Sequence, residues 1–411
     1  MGEHYDGLET RAPHEREADF FARLRANLAH AKAHAPYWAK TLVDVDPAGV
    51  TDRAALARLP VTRKSALIGL QKAQPPFGGM LAVPVGALAR IFLSPGPILD
   101  PEGRETDYWN TARGLFAAGF RKGDVVQNCM SYHLTPGARI LESGLEALGC
   151  VCIPGGVGQT EQQVQVMAAL KPAGYAGTPS FLRIILEKAQ ELKVDLSSLK
   201  KAFVSGEALP PSLRKEFEAQ GIAVLQGYAT ADLGLVAYES RAREGLIVSE
   251  NVLVEIVRPG TGDPVADGEV GEVLVTNLVR DYPLVRFSLG DLSAVAPGPS
   301  PCGRTNMRIT GWMGRADQTT KVKGMFVHPE QVAEVLRRHP EVKRGRLVVS
   351  QENGADLMTL LCETERDSTT LVPLIQETLA AVTKMRGEVG FVAPGSLPND
   401  GKVIEDVRKF D

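Results

Sequence analysis

Residues 124–205 read DVVQNCMSYHLTPGARILESGLEALGCVCIPGGVGQTEQQVQVMAALKPAGYAGTPSFLRIILEKAQELKVDLSSLKKAFVS, and this stretch decides the fold. Asp124–Asn128 reads as a strand and Ala138–Leu148 as a helix. Cys150–Ile153 is a strand, followed by a glycine turn and the helix Glu161–Leu170. Tyr175–Gly177, the helix Ser180–Leu192 and the strand Ala202–Ser205 continue the pattern. Strand and helix alternating at this spacing predict parallel strands joined by crossover helices.

On the N-terminal side, Phe20, Phe21, Leu24 and Leu28 recur at helical spacing, and Pro36 stops that helix. A turn, Ser94-Pro95-Gly96-Pro97, leads to Asp100-Pro101-Glu102-Gly103. Tyr108, Ala112, Leu115 and Phe116 share one helical face, with Gly119 as its C-cap. On the other side, residues 251–295 are strand-rich. A second unit begins near Gly311. Lys321–Val327 is a strand or hairpin, and Pro329 opens a helix carrying Val332, Val335 and Leu336. Arg346–Ser350 and Leu357–Cys362 are strands, Leu371–Val382 a helix and Val389–Val392 a strand. That order approximates βαββαβ. Beyond Pro398 the tail reads as a glycine-containing loop followed by a basic-acidic end. The expected fold is α/β: a large N-terminal α/β domain with mixed sheets, residues 1–314, and a small C-terminal α+β, ferredoxin-like domain, residues 315–411.

Composition narrows the function. At roughly 150 residues per domain, 411 residues predict two or three domains. The net charge of −3 offers no bulk electrostatic grip on nucleic acid. No apolar run approaches the ~18 residues that a membrane span needs, and the charged N-terminus has no apolar core of a secretory signal. Five scattered cysteines make no disulfide framework, so a cytoplasmic location is the expectation.

Generic motifs are weak. Gly156-Val157-Gly158 follows a strand and opens a helix, but Glu161 stands where a dinucleotide fingerprint has its third glycine. A tight strand-to-helix turn explains it better than an oxidoreductase does. Cys150 and Cys152 have no further ligands at zinc spacing. There is no nucleophile elbow and no Walker loop.

Five separated segments say more: Phe203-Val204-Ser205-Gly206-Glu207-Ala208-Leu209; Gln226-Gly227-Tyr228-Ala229-Thr230-Ala231-Asp232; Arg286-Phe287-Ser288-Leu289-Gly290-Asp291; Gly314-Arg315-Ala316-Asp317-Gln318 with Lys321-Val322-Lys323-Gly324; and Leu397-Pro398-Asn399-Asp400-Gly401-Lys402. At these residues, in this order, the chain resembles the adenylate-forming superfamily and, within it, the phenylacetate–coenzyme A ligase branch. The resemblance runs from about Tyr37 to the end.

It implies activation of an aryl acid with ATP and Mg²⁺ to an acyl-adenylate, then transfer to coenzyme A, leaving AMP. Ser205, Gly206 and Glu207 would line the adenine and acyl side, together with Gly227, Ala229 and Thr230, and Tyr228 would stack on adenine. Asp291 and Arg315 would hold the ribose, and Lys323 and Gly324 belong to the same nucleotide set. Asp232 would hold the metal and Asp317 would be the hinge of the mobile domain. Lys402 would meet the α-phosphate and the carboxylate. Tyr132 and His133 lie where the branch carries its acyl pocket. A homodimer is expected by resemblance only. Each residue also has a plainer reading: Asp291 closes a β-turn, Tyr228 is a core aromatic, Arg315 and Asp317 are a surface pair, and Lys402 is a solvated tail lysine.

Two departures touch the pyrophosphate half of ATP. The branch has a hydroxyl-rich phosphate loop ending in Gly-Lys. Here Leu93–Gly103 lacks the hydroxyls and the lysine, and Pro95 and Pro97 have no N–H to offer. Asp100 and Glu102 are expected to repel phosphate, and Arg104 is a candidate replacement for the lysine. Ala231-Asp232 replaces Thr-Glu. A catalytically degenerate homologue that binds AMP, acyl-adenylate or acyl-CoA is therefore the alternative.

Overall fold

The computed structural model describes residues 3–94, 96–316, 318, 320–322, 325–352, 355–365 and 370–408. The chain forms two compact units. One comprises residues 1–254, 275–287 and 296–311; the other comprises 255–274, 288–295 and 312–411. The strands Val252–Val257, Gly271–Asn277 and Phe287–Ser293 carry the chain across these boundaries.

The first unit is built on an eight-stranded sheet. Its order is Arg308–Ile309, Leu246–Val248, Gly234–Glu239, Ala223–Thr230, Lys201–Val204, Gly174–Gly177, Val125–Asn128 and Val151–Pro154. The five strands from Val125 to Thr230 are parallel. Helices Gly137–Leu148, Thr160–Leu170, Pro179–Glu191 and Pro211–Ala219 make the crossovers. The other three strands join antiparallel.

Side-chain alternation shows why both faces are covered. Tyr175, Ala202, Val204 and Val224 enter one core with Leu182, Ile185 and Phe217. Their neighbours Ala176, Phe203 and Leu225 enter another with Leu141, Leu145 and Leu235. A strand sends successive side chains to opposite faces, so a strand buried on both reads as a continuous apolar run.

Local expectations hold with adjusted bounds. Phe20, Phe21, Leu24 and Leu28 are buried on the helix Pro13–His34. Pro36 stands at the first position of a further helix, Pro36–Thr41. The helix expected from Tyr108 begins only at Ala112, because the Asp107 carboxylate accepts from the Thr111 and Ala112 amides and so satisfies its open N–H groups. Gly155–Gly158 is the strand-to-helix turn, with Gly156 and Gly158 in the left-handed region.

In the second unit a four-stranded sheet has the order Glu388–Val392, Ala355–Glu363, Arg344–Glu352, Ile404–Asp406. Helices Pro329–Arg337 and Leu371–Thr383 contribute Val332, Val335, Ile375 and Leu379 to its core. This corrects the simple βαββαβ reading. Thr320–Val322 and Met325–Val327 pair with each other in a separate hairpin. The edge strand beside Arg344–Glu352 comes instead from the tail, with Leu347–Val349 parallel to Ile404–Asp406. The tail expected to be loop is thereby pinned to the sheet.

Candidate functional site

In the first unit the predicted residues gather at the carboxyl ends of the parallel strands, where ligands of open α/β sheets bind. Asn128 ends one strand, and its amide donates to the Tyr132 hydroxyl at 3.1 Å. The Tyr132 ring is 37% exposed, and His133 beside it is exposed. Val204 ends the next strand but one. Ser205 follows, buried, its hydroxyl donating to the Gly227 carbonyl at 2.8 Å. Gly206 turns the chain with φ +81°. The exposed Glu207 takes the Ser180 N–H at 3.3 Å, where the helix Pro179–Glu191 favours a carboxylate. Gly227 is required by packing, since a Cβ there would meet Phe203 at 2.5 Å. Tyr228, Ala229 and Thr230 are half-buried, and a bulge between Tyr228 and Ala229 shifts the register. A bulge re-aims the side chains on its strand.

Asp232 follows, its side chain 1% exposed. Its Oδ2 accepts from Lys64 Nζ at 2.6 Å, and its Oδ1 is buried with no hydrogen-bond partner. Sequence reading missed Lys64, which lies 168 positions away; no spacing rule reaches that far. Among the described residues no group of three His, Cys, Asp or Glu side chains can hold a metal ion. In this arrangement the Asp232 carboxylate is engaged by the Lys64 ammonium, and the Asp100 carboxyl beside it is held towards its neutral form.

The segment expected as a phosphate loop is a β-hairpin. Arg90–Ser94 pairs with Ile98–Glu102, and Ser94 lies opposite Ile98. Gln71 holds it by exchanging two 2.9 Å hydrogen bonds with the Leu99 backbone. Here the expectations need correction. Glu102 is 2% exposed and answered by Arg139 at 3.0 Å and Arg90 at 3.4 Å, so it is not presented to a phosphate. Arg104 spends its guanidinium on the carbonyls of Ala87 and Leu88, so it does not replace the missing lysine.

Asp100 is 1% exposed. Burial, then the Asp232 carboxylate, push its carboxyl up to about 7, and Ser94 and Lys64 only partly counter them. The folded chain therefore keeps a proton between about pH 4 and 7 that the unfolded chain has lost, and stability falls as pH rises through that window. Asp100→Asn is expected to remove the slope. The unfolding free energies of parent and variant should diverge from pH 5 to pH 8 in the variant's favour, by roughly 2–3 kcal/mol, read from denaturant titrations at each pH. Parallel curves would show that Asp100 is ionised throughout.

The second unit carries the remaining residues. Asp291, 9% exposed, accepts at Oδ1 from Arg315 Nη1 at 2.8 Å and from the indole N–H of Trp312 at 3.1 Å. Arg315 also donates to the Leu289 carbonyl. Gly290, with φ +70°, leaves room for this guanidinium, because a Cβ would come within 2.7 Å of Arg315 Nη2. Trp312 is 57% exposed; it lies between two of the quoted segments, and its role at Asp291 was not read from the sequence. Lys402 sits on a strapped loop. Gln318 donates to the Gly401 carbonyl and accepts from the Ile404 N–H. The buried Arg346 pairs with Asp400 and Glu405. The Lys402 ammonium is 48% exposed, 3.7 Å from Glu405. Arg315 and Lys402 line one cavity of about 350 Å³ with Gln318, Asp400, Glu405 and Asp406. Asp317, Lys323 and Gly324 lie outside the described residues. Among the described residues, no helix is long and apolar enough to cross a membrane.

Comparison with known proteins finds relatives over most of the chain. The model for the AMP-binding enzyme family matches residues 109–278. A phenylacetate-coenzyme A ligase of Thermus thermophilus is 31% identical, over 83% of this chain and 80% of that protein. The Escherichia coli phenylacetate-coenzyme A ligase is 29% identical, over 99% and 97%. Among solved structures, a 2-hydroxyisobutyryl-CoA ligase in complex with 2-HIB-AMP and CoA superposes with a TM-score of 0.71. It is 25% identical, covering 99% of this chain and 93% of that one.

Proposed function

The chain belongs to the phenylacetate–coenzyme A ligase family, and from that premise we propose that it joins an aryl carboxylic acid to coenzyme A through an acyl-adenylate. A carboxylate oxygen attacks the α-phosphorus of ATP and pyrophosphate leaves. The coenzyme A thiol then attacks the acyl carbon and AMP leaves. Magnesium enters as the counter-ion of ATP, part of the substrate. The observation that carries this reading is the cavity shared by Arg315 and Lys402. A guanidinium held on Asp291 suits ribose hydroxyls, and an exposed ammonium suits the charge that develops between phosphate and carboxylate.

Tyr228 and the segment Ser205–Glu207 would receive the adenine and acyl side, with Gly227, Ala229 and Thr230. Tyr132 and His133 would face the acid. The half-exposed phenol ring of Tyr132, anchored by its hydroxyl on Asn128, favours an aryl group through ring contacts. Residues 315–411 would move as the mobile domain about Asp317, so that Lys402 serves the first step and withdraws for the second.

The hairpin in place of a phosphate loop favours one further reading: a homologue that binds AMP or acyl-adenylate without forming it. Pyrophosphate release separates the two. With ATP, Mg²⁺ and a panel of aryl acids, each with and without coenzyme A, a ligase gives acid-dependent pyrophosphate, and thioester only when the thiol is present. No release, together with calorimetric binding of AMP or acyl-CoA, would establish the second reading.

A further inference from the structure

We propose that the Lys64 ammonium receives the terminal phosphates of ATP, standing on Asp232 where a divalent cation would otherwise be held. This rests on the ligase reading and adds to it the residue that replaces both the missing phosphate-loop lysine and a protein-bound metal.

Five observations converge. The pair is asymmetric in exposure: the Asp232 side chain is 1% exposed and Lys64 29%, so the carboxylate is buried and the lysine reaches outward. An ammonium has three donors, and the contact with Asp232 uses one of them. The neighbourhood is otherwise anionic or neutral. Asp232 Oδ1 and both carboxylate oxygens of Asp100 are buried with no hydrogen-bond partner, and the polar groups near them include Ser94, Tyr282, Gln71 and Tyr37. Around the hairpin, Arg139 is committed to Glu102 and Glu146 and Arg104 to the carbonyls of Ala87 and Leu88, while the half-exposed Arg90 reaches Glu102 at 3.4 Å. Finally, the sequence between Ser94 and Ile98, Pro95-Gly96-Pro97, has no side-chain hydroxyl and no amine to offer.

A lysine works here as a compact point charge. It neutralises Asp232 when the nucleotide is absent and shares its remaining donors with phosphate oxygens when ATP arrives. Asp232 then acts as a positioning residue, because its buried carboxylate fixes where the ammonium stands.

Calorimetric titrations of the full chain with ATP, AMP and inorganic pyrophosphate test this, each with and without Mg²⁺. The parent should bind ATP more tightly than AMP. Lys64→Met should lose about 10- to 100-fold in affinity for ATP and pyrophosphate and leave AMP unchanged. Lys64→Arg should recover part of the loss. Asp232→Asn, which keeps the ammonium, should retain most of the preference for ATP. The double variant Lys64→Met/Asp232→Asn leaves no lone buried charge and serves if Lys64→Met does not fold. Equal losses for ATP and AMP would make Lys64 merely structural and overturn the proposal. So would a parent with no preference for ATP. Loss of Mg²⁺-dependent ATP binding in Asp232→Asn alone would return that carboxylate to a metal and overturn it too. Failure of the ligase reading shows separately: a parent that releases no acid-dependent pyrophosphate, yet whose ATP preference depends on Lys64, would keep this inference and lose the reaction.

Discussion

Lys402→Ala is expected to slow pyrophosphate formation from acid and ATP by about two to three orders of magnitude, the range seen when one preorganised donor to a developing charge is removed. Thioester formation from supplied acyl-adenylate should stay within a few-fold of the parent. The asymmetry follows from the charge that each step develops. Attack on the α-phosphorus concentrates negative charge between carboxylate and phosphate. In the second step the bond to the adenylate is already made, and the thiol needs an open path rather than a cation. The loop of Lys402 is held at Arg346 and Gln318, so on the ligase reading the ammonium would travel with those residues. The side chain itself is loosely held, 3.7 Å from Glu405 and half exposed. Stability should barely change, because an exposed pair of this kind contributes little. Single-turnover assays of the two half-reactions check the prediction. Equal loss in both would assign Lys402 to general binding, and no loss in either would remove it from the site.

Asp291→Ala is expected to weaken AMP binding by about 100-fold. The carboxylate collects two donors, Arg315 at 2.8 Å and Trp312 at 3.1 Å, and on the ligase reading it also takes the ribose hydroxyls. A hydrogen bond to a charged group contributes about 1.5–3 kcal/mol, so two lost to the ribose account for the figure. Alanine also releases Arg315, which then no longer presents its guanidinium from a fixed position. Asp291→Asn should fall between, since an amide keeps one acceptor and the shape of the side chain. Titration calorimetry with AMP reads the effect directly. A further readout comes from Trp312, since Trp38 and Trp109 are buried at 0% and 1% exposure. Its fluorescence should change on AMP binding in the parent and not in the alanine variant. Unaltered affinity in Asp291→Ala would show that this carboxylate closes a turn and nothing more.

Much of this molecule was legible from the sequence alone. The period-two alternation that sends Tyr175 and Ala176, or Val224 and Leu225, into different cores is a local property of the chain. The glycine turns at Gly156 and Gly206 are equally local, because a positive φ selects glycine wherever it occurs. The family was legible too, since Asp291, Arg315 and Lys402 stand in ordered segments. What the sequence did not determine is which charges meet. The Pro-rich stretch with Asp100 and Glu102 read as repulsive to phosphate, but Glu102 is turned inward onto Arg139. Lys64 reaches Asp232 across 168 positions. The tail that read as loop supplies an edge strand, Ile404–Asp406. Each of these depends on long-range packing, which decides which side chains leave water. A carboxylate that leaves water must find a cation, be pushed towards its neutral form, or sit beside a ligand. Periodicity and turn chemistry fix a segment's shape; only the tertiary structure chooses the partner of a buried charge.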